Sequence, residues 1–347
     1  VTAEEKNTEQ KKVTIKDVAV QLGLSVTTVS LVLNNKGDIP ESTRSRIRKV
    51  AEDMGYHPDY MARSLVTGKS HIVGVLVPDI SNQFFAETVR HLQTELNNYG
   101  YDIILCNSEE RMDNDIKYIE WLSGRRVDGL VLTLSAQSMQ EENRGKMQRV
   151  LDGVKIPYVF LDRYYESNTP KILVDNVDGG YRVTKYLLDS GHTNIGLITG
   201  PMSLNSSANR LEGVQKAMAE RGIALPKENI VSLSYDMDSG RQGAEVLIAM
   251  GVTAIFCFND LQAYGVFAYV NEHGMKVPDD ISLVGFDDIF YSSILETKLT
   301  TVRQHIRQMA LETCKVVVNL LEGKPCPTEV KLTTELIVRD SVKDITK

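Results

Sequence analysis

The sequence predicts an N-terminal all-α helix-turn-helix headpiece followed by an α/β domain of two lobes with parallel sheets. Three observations support this: short helical patterns up to residue 57, alternating strand and helix patterns from residue 71, and unevenly distributed charge. Residues 1–10 carry −2, residues 11–70 carry +4 and residues 71–347 carry −9, which together give the chain's −7. A basic head on an acidic body is expected if only the head meets phosphates.

The same patterns divide the 347 residues into five predicted segments, a length that fits two or three domains. We expect a disordered arm at residues 1–12, the headpiece at 13–57, a hinge helix at 58–70, the two-lobed domain at 71–341 and a tail at 342–347. Within the two-lobed domain, we expect an N lobe of about residues 71–173 and 304–332 and a C lobe of about residues 174–303 and 333–341.

The headpiece pattern consists of three short helices. The first is predicted to start at Thr14, which has a carboxylate three residues later as in a capping box. The second starts at Ser25, a good N-cap, and its core face is predicted to carry Val29 and Leu33. About three residues separate these two helices, which is the spacing of a helix-turn-helix. A third helix follows Pro40, with apolar residues at i, i+3, i+4 and i+7 on one face.

From residue 71 onwards, strand-length apolar runs alternate with amphipathic helical stretches. Such alternation indicates βαβ units and parallel sheets, and two similar runs, starting at residues 72 and 195, imply two lobes of related build. Ligands of such sheets bind beyond the carboxyl ends of the strands. Each polar pair at a strand end could be a helix cap or a turn, but their recurrence favours one shared cleft. The pairs are Asp79 with Asn82, Asp162 with Arg163, Asn259 with Asp260, and Asp287 with Asp288.

Several classes of protein are disfavoured by what the sequence lacks. The apolar runs are strand-sized, well short of the roughly 20 residues that cross a bilayer, and residues 1–12 do not resemble a secretory signal. The four cysteines are scattered without metal-ligand spacing, so we expect reduced thiols, a cytoplasmic location and no metal. No glycine cluster follows the first strand, and GxxxxGK[ST] and HExxH motifs are missing. We therefore expect no enzyme activity and no cofactor.

Motifs that carry a family resemblance lie in order along almost the whole chain. In the first part they are VTIKDVA (13–19), GLSVTTVS (23–30), GYHP (55–58) and ARSL (62–65). In the second part they are VDG (127–129), RLEG (210–213), FND (258–260), VGFDD (284–288) and LTTV (299–302). In this combination, from about residue 13 to residue 341, the chain resembles the lac repressor/galactose repressor family of DNA-binding transcriptional regulators. The sensor domain of that family is similar to periplasmic sugar-binding proteins.

The resemblance implies how the head would read DNA. The second helix would lie in the major groove, with Val26, Thr27 and Leu31 against base edges and polar side chains on phosphates. Leu31 stands where many relatives carry Arg or His, so a thymine methyl contact would replace hydrogen bonds to guanine. Leu65 would enter the minor groove as an apolar wedge, unless it packs against the body. The predicted DNA-binding set is Thr14, Ser25, Val26, Thr27, Thr28, Ser30, Leu31, Asn34, Tyr60, Ala62 and Leu65.

The resemblance also implies the assembly. One headpiece is small, and the family solution is a homodimer whose two heads read a pseudo-palindromic double-stranded operator. The sequence lacks the C-terminal leucine heptads that make some relatives tetramers, so a dimer is expected. The predicted partners are therefore operator DNA and a second copy of the chain, with no membrane partner.

A sugar effector is the third implication. The cleft residues matching the family are Phe84, Phe85, Asp162, Arg163, Arg210, Tyr235, Asn259, Asp287 and Gln304. Carboxylates and arginines bind hydroxyl groups, and aromatic rings cover the apolar face of a pyranose, although Tyr235 could be ordinary core. Asp162 and Arg163 resemble the ribose-type binding proteins most, so ribose or a related sugar is expected. Purine-sensing relatives carry Arg in place of Leu204 and Trp in place of Arg163, which counts against a purine.

Three alternatives stay open at this point. A catabolite-control regulator of the same family would use a phosphocarrier protein as corepressor, and residues 77–82 resemble such regulators too. A stand-alone sugar-binding protein would explain the body but not the basic headpiece. An enzyme, such as a dehydrogenase or a phosphotransferase, is opposed by the missing motifs.

Overall fold

The chain divides into two compact units between Ser70 and His71. The computed structural model describes residues 13–33, 37–56 and 68–346. The predicted arm, residues 58–67 of the predicted hinge helix, and the predicted DNA contacts Asn34, Tyr60, Ala62 and Leu65 lie outside these residues. In its described part, the first unit is helical and the second is α/β.

Three helices build the headpiece, and local sequence sets their ends: α1 (Ile15–Leu22), α2 (Val26–Leu33) and α3 (Glu41–Asp53). The predicted capping box is present, with the Thr14 amide donating to Asp17 Oδ2 at 2.8 Å. Gly23 ends α1 in the left-handed region at a φ of 64°, a conformation that glycine adopts without steric cost. The Ser25 hydroxyl accepts from the Thr28 amide at 3.1 Å and so starts α2 as predicted.

The core of the headpiece includes both residues predicted for the core face of α2. Val29 is fully buried, and Leu33 is partly buried and packs against the core, which also includes the fully buried Val32. Val29 and Val32 are three residues apart and therefore share one helix face, while Leu33 lies at its edge. The buried core consists of Val18, Ala19, Leu22, Val29, Val32, Ile47 and Ala51.

Two arginines of α3 fasten the headpiece together. Arg46 donates to the Leu22 carbonyl at the end of α1 at 2.9 Å, and Arg44 donates to the carbonyls of Gly37 and Ile39. The last carbonyls of a helix have no intrahelical partner, so Arg46 both satisfies one and holds α3 against α1.

The N lobe is a parallel sheet of six strands with helices on both faces. Its strands are β1 (Ile72–Val77), β2 (Asp102–Asn107), β3 (Gly129–Leu132), β4 (Tyr158–Leu161), β5 (Lys171–Val174) and β11 (Glu329–Leu332), in the order β11-β5-β4-β3-β1-β2. Its helices are α4 (Gln83–Asn98), α5 (Met112–Gly124), α6 (Glu141–Gly153) and α11 (Ile306–Leu321). Alternate residues of β1 enter two cores: Val73 and Val75 pack with α4 and α11, and Leu76 packs with α5 and α6.

The C lobe repeats this build on a smaller sheet. Its parallel strands are β6 (Ile195–Thr199), β7 (Ile230–Ser232), β8 (Ala254–Cys257) and β9 (Ser282–Val284), in the order β7-β6-β8-β9. Its α-helices are α7 (Asn176–Asp189), α8 (Asn205–Glu220), α9 (Met237–Ala249) and α10 (Asp260–Glu272), with short 3-10 turns at Lys227–Asn229 and Phe290–Ser293. A Cβ on Gly180 would lie 2.2 Å from the Arg210 carbonyl oxygen, so this glycine lets α7 and α8 approach closely.

Three passages of the chain connect the lobes. The chain leaves the N lobe after Val174, returns to it after Gln304 and leaves it again after Leu332. Two of these passages run as an antiparallel pair, β10 (Thr301–Gln304) with β12 (Thr334–Ile337). Parallel sheets joined in this way bring the carboxyl ends of both sets of strands to face one cleft.

The predicted tail belongs to the C lobe. Ser341 is fully buried and donates to the Leu283 carbonyl at 2.6 Å. Beyond it, the Lys343 amide donates to the Ser282 hydroxyl at 2.9 Å, and the Ile345 amide donates to the Ser190 carbonyl at 2.9 Å. The segment predicted as a tail, residues 342–347, is therefore held to the C lobe by hydrogen bonds up to residue 345.

Candidate ligand cleft and DNA-binding surface

The described part of the predicted DNA-binding set lies on and beside α2. Val26 is 40% exposed, and Ser25 and Thr27 are exposed as well. Leu31 is partly buried and lies against Gly37. The Ser25 and Thr28 hydroxyls are 2.8 Å apart, and the Thr14 hydroxyl donates to Asp17, so these side chains also serve as caps; Ser30 is partly buried. Contacts of these residues with DNA stay a prediction.

A cleft of about 190 Å³ lies within the second unit and brings all nine predicted effector residues together. These are Phe84, Phe85, Asp162, Arg163, Arg210, Tyr235, Asn259, Asp287 and Gln304. Six further residues line it: Asp79, Asn82, Glu110, Ser206, Ser234 and Asp236. The lining comes from both lobes, so a ligand held here contacts both.

Strand ends place most of these side chains, as the sequence predicted. Asp162 directly follows β4, Gln304 ends β10, and Asn259 stands two residues beyond β8. Phe84 and Phe85 lie in the first turn of α4, where Asn82 accepts from the Phe84 amide at 3.0 Å. Parallel strands end at one edge of a sheet, and this explains why residues so distant in sequence meet.

Arg163 is the most tightly held side chain of the cleft. It is 2% exposed, and Glu110 binds both of its terminal nitrogens at 2.9 Å. Nη1 also donates to the Leu134 carbonyl at 2.9 Å. Glu110 in turn accepts from the Ala136 amide at 2.5 Å. Paired hydrogen bonds of this kind fix the guanidinium plane.

Arg210 occupies the C-lobe side of the cleft. It lies in the second turn of α8, which begins five residues earlier at Asn205. Its Nε donates to Asn176 Oδ1 at 2.8 Å, and its Nη1 donates to the Phe258 carbonyl. Its guanidinium carbon lies 3.6 Å from the centre of the Phe286 ring. Hydrogen bonds and stacking therefore leave Nη2 directed at Asp287, 4.0 Å away.

Backbone strain accompanies the carboxylates of the cleft. Glu110, Asp162 and Asp287 have positive φ values of 54°, 65° and 121°. Such values are uncommon outside glycine, and they persist where the surrounding structure enforces them. Gln304 Nε2 donates to Asp287 Oδ1 at 2.6 Å and so helps to hold this conformation.

Tyr235 reaches the cleft because of a neighbouring glycine. A Cβ on Gly200 would lie 2.2 Å from the Tyr235 ring, so a larger residue would displace the ring. The Tyr235 hydroxyl shares a hydrogen bond of 2.8 Å with the Ser207 hydroxyl, and its carbonyl accepts from Asn259 Nδ2 at 3.2 Å. This ring is a wall of the cleft as well as a neighbour of two cores.

Three buried polar atoms of the cleft lack a hydrogen-bond partner in the described structure: Asp162 Oδ1, Arg163 Nε and Gln304 Oε1. Buried polar groups are normally paired, since leaving one unpaired costs about 1–3 kcal/mol. One donor and two acceptors are therefore available to a ligand. Hydroxyl groups, which donate and accept, match such a set.

Burial also changes the acidity of the cleft carboxyls. Burial raises the pKa of Asp162 above its ordinary value, against the opposing effect of Arg163 and Arg210. Burial likewise raises the pKa of Asp287 well above its ordinary value, again opposed by Arg210. Ligand hydroxyls that donate to these carboxylates would replace part of the lost hydration.

Sequence reasoning missed four lining residues: Glu110, Ser206, Ser234 and Asp236. The signal for Glu110 was available, because an acidic pair follows β2, whose carboxyl end lies on the same edge of the sheet as that of β1. The other three follow β6 and β7 in the C lobe, where serines and an aspartate are also ordinary cap residues. Asp79 and Asn82 were noted at a strand end but not included in the site.

The described residues contain neither a single membrane-spanning helix nor a cluster of metal ligands. Among the described residues, no single helix is long and apolar enough to cross a membrane; α1 and α2 meet the length and composition only as a pair bent by 111°. Within residues 13–33, 37–56 and 68–346, no group of three or more His, Cys, Asp or Glu is arranged to hold a metal ion. The four cysteines are free thiols, three of them buried.

Comparison with known families gives two matches. Residues 14–59 match the family described as bacterial regulatory proteins, lacI family. Residues 184–342 match the periplasmic binding protein-like domain. The first match covers the headpiece, and the second covers most of the C lobe together with α11 and β11 of the N lobe.

Similar proteins span almost the whole chain. The HTH-type transcriptional repressor PurR of Vibrio campbellii is 33% identical over 336 residues, which cover 96% of this chain and 99% of the relative. The ribose operon repressor of Halalkalibacterium halodurans is 33% identical over 333 residues, 95% of this chain and 97% of the relative.

Two solved structures are similar in fold. The lac repressor dimer bound to operator and the anti-inducer ONPF has a TM-score of 0.83 and 25% identity, and the match covers 96% of this chain and 100% of that one. A LacI family transcriptional regulator from Enterococcus faecium with bound ribose has a TM-score of 0.70 and 25% identity, with coverage of 79% and 100%.

Proposed function

Because this chain belongs to the lacI family of bacterial regulatory proteins, we propose that it is a transcriptional repressor whose affinity for operator DNA is controlled by a small sugar in the cleft. The headpiece binds DNA, and the second unit is the sensor. The proposed function involves no enzyme activity, and the similar proteins are themselves repressors.

The observation that carries the sugar assignment is the set of unpartnered buried atoms. Asp162 Oδ1 and Arg163 Nε lie directly after β4, Gln304 Oε1 lies at the end of β10, and all three residues line one cleft. A polyol offers several hydroxyls that both donate and accept, and Phe84 and Phe85 provide an apolar surface for the carbon face of the ring.

Ribose or a related sugar is the effector that we favour. One similar repressor is named for the ribose operon, and one similar structure contains ribose. A purine is disfavoured because Leu204 is buried in an apolar cluster and Arg163 is fixed by Glu110, so neither position offers the Arg and Trp of purine-sensing relatives.

A sugar in the cleft would control the headpiece through lobe closure. A ligand contacting Asp162 in one lobe and Arg210 in the other binds the closed arrangement better and shifts the population toward it. In a homodimer, this shift would change the separation of two heads on a pseudo-palindromic operator. DNA binding and sugar binding would then be thermodynamically coupled, although the two sites have no residue in common.

The test uses the full chain. Selection from random duplexes yields an operator, and fluorescence anisotropy then measures affinity for it with and without D-ribose. A change of about 5- to 150-fold is expected. A phosphocarrier protein in place of the sugar tests the catabolite-control alternative, and a response to that protein alone would contradict the proposal.

A further inference from the structure

Both arginines of the cleft are already engaged by the protein. Glu110 binds the two terminal nitrogens of Arg163. Arg210 donates through Nε to Asn176 and through Nη1 to the Phe258 carbonyl. A guanidinium binds phosphate through two neighbouring free nitrogens. Each arginine keeps some N–H groups free, but a carboxylate already faces them: Asp162 Oδ2 lies 4.0 Å from Arg163 Nε, and Asp287 Oδ1 lies 4.0 Å from Arg210 Nη2.

The other charges of the lining are negative. Asp79, Asp162 and Asp236 add to Glu110 and Asp287, against two arginines and no lysine, so the formal charge with all carboxyls ionised is −3. It stays negative when Asp162 and Asp287 each hold a proton. A phosphoryl group carries about −1.5 to −2 at pH 7 and would therefore be repelled.

Helix N-termini, the usual backbone sites for anions, do not compensate. Asn82, Asp236 and Asn259 each accept a backbone N–H at the start of α4, α9 and α10. The start of α8 has no side-chain cap, but a helix end contributes only about half a positive charge. This is small against the charge of the lining.

We propose that Glu110 is a positioning residue that sets specificity: by holding Arg163, it reserves the cleft for uncharged sugars and excludes phosphorylated ones. The proposal rests on the proposed function, since it names the class of sugar that the same cleft accepts. With the outer edge of its guanidinium held by Glu110, Arg163 is left with its Nε edge, which lies 4.0 Å from Asp162 Oδ2 and suits a hydroxyl or ring oxygen. The Glu110 side chain is 37% exposed, so its own charge also meets an incoming anion.

Calorimetric titration of the full chain with D-ribose, D-ribose 5-phosphate and inorganic phosphate tests this. Wild type should prefer D-ribose over its 5-phosphate by at least ~100-fold. Glu110→Gln keeps the side-chain shape, frees part of Arg163 and removes one negative charge. It should gain about 10-fold in affinity for D-ribose 5-phosphate and for phosphate. Glu109→Gln is the matched control, because it removes the same charge from an exposed neighbour outside the cleft lining and should gain nothing.

The outcomes separate this proposal from the proposed function. If Glu110→Gln lowers both sugar affinities equally, or gains no phosphate affinity over Glu109→Gln, Glu110 has only a structural role and the proposal fails. Wild-type affinities for the two sugars within ten-fold of each other also overturn it, whether or not a variant folds. If wild type binds no D-ribose while Glu110→Gln still gains phosphate affinity, the ribose assignment fails and the role of Glu110 stands.

Discussion

Asp287 and Asp288 are consecutive residues whose carboxylates serve different environments. Asp287 lines the cleft and accepts from Gln304 at 2.6 Å. Asp288 accepts from Arg303 at 2.7 Å and from Arg339 at 2.5 Å. Arg303 lies on β10 and Arg339 follows β12, so this corner joins the ligand site to the strands that connect the lobes.

Replacing Asp288 should lower the stability of the protein, whereas replacing Asp287 should abolish sugar binding with little effect on stability. Asp288→Asn leaves two arginines without their buried partner and should lower the free energy of unfolding by about 3 kcal/mol. Asp287→Asn removes a carboxylate that burial disfavours, so stability should change by less than about 1 kcal/mol while sugar affinity is lost. Asn tolerates the positive φ at both positions, which makes the variants comparable. Urea unfolding and calorimetry would check this; equal destabilisation would contradict it.

Arg210→Lys should uncouple DNA binding from the sugar. Lysine keeps the charge but cannot donate to Asn176 and the Phe258 carbonyl while also facing Asp287. The free energy of sugar binding should weaken by about 2–5 kcal/mol, whereas the affinity for operator DNA in the absence of sugar should be retained. Arg241→Lys, on an exposed pair with Glu272, is the control and should behave as wild type. Wild-type sugar affinity in Arg210→Lys would remove Arg210 from the site.

Substitution by alanine should have opposite effects on stability at two helical glycines. In Gly180→Ala the new Cβ meets the Arg210 backbone at 2.2 Å, and separating α7 from α8 should cost about 1–3 kcal/mol. Gly145, inside α6, has nothing within 4 Å of its would-be Cβ, so Gly145→Ala should stabilise by roughly 0.5–1 kcal/mol. Thermal unfolding of the two variants measures both effects, and a tolerated Gly180→Ala would show that α7 can shift.

Asp260 should make stability depend on pH. Burial raises its pKa to about 7 even though Ser292, Thr301 and the Ile289 amide donate to it. Between the ordinary carboxyl pKa and 7, the folded state holds a proton that the unfolded state lacks, so stability falls as pH rises through this window. Relative to Asp260→Asn, wild type should lose roughly 1.4 kcal/mol per pH unit between about pH 5 and 7. Parallel pH profiles of the two proteins in urea unfolding would refute this.

Local sequence predicted the features that depend on neighbours in the chain. The capping box at Thr14, the cap at Ser25 and the polar residues at strand ends each follow from a few adjacent residues. The strand-end position of Glu110 could be predicted in the same way, but its role could not, because that role arises from Arg163, which is 53 residues away in sequence. The burial of Val32 beside Val29 and Leu33, and the hydrogen bonds of the C-terminal segment, likewise depend on packing that periodicity does not encode.

The three passages between the lobes have a consequence for how the protein is made. The N lobe needs β11 at the edge of its sheet, so it is complete only after residue 332, and the C lobe needs backbone contacts up to residue 345. The headpiece core is complete once residue 56 has emerged. At about 5–20 residues per second, a finished DNA-binding head precedes its sensor by roughly 15–60 s. During that interval a nascent chain has a head that no sugar can control.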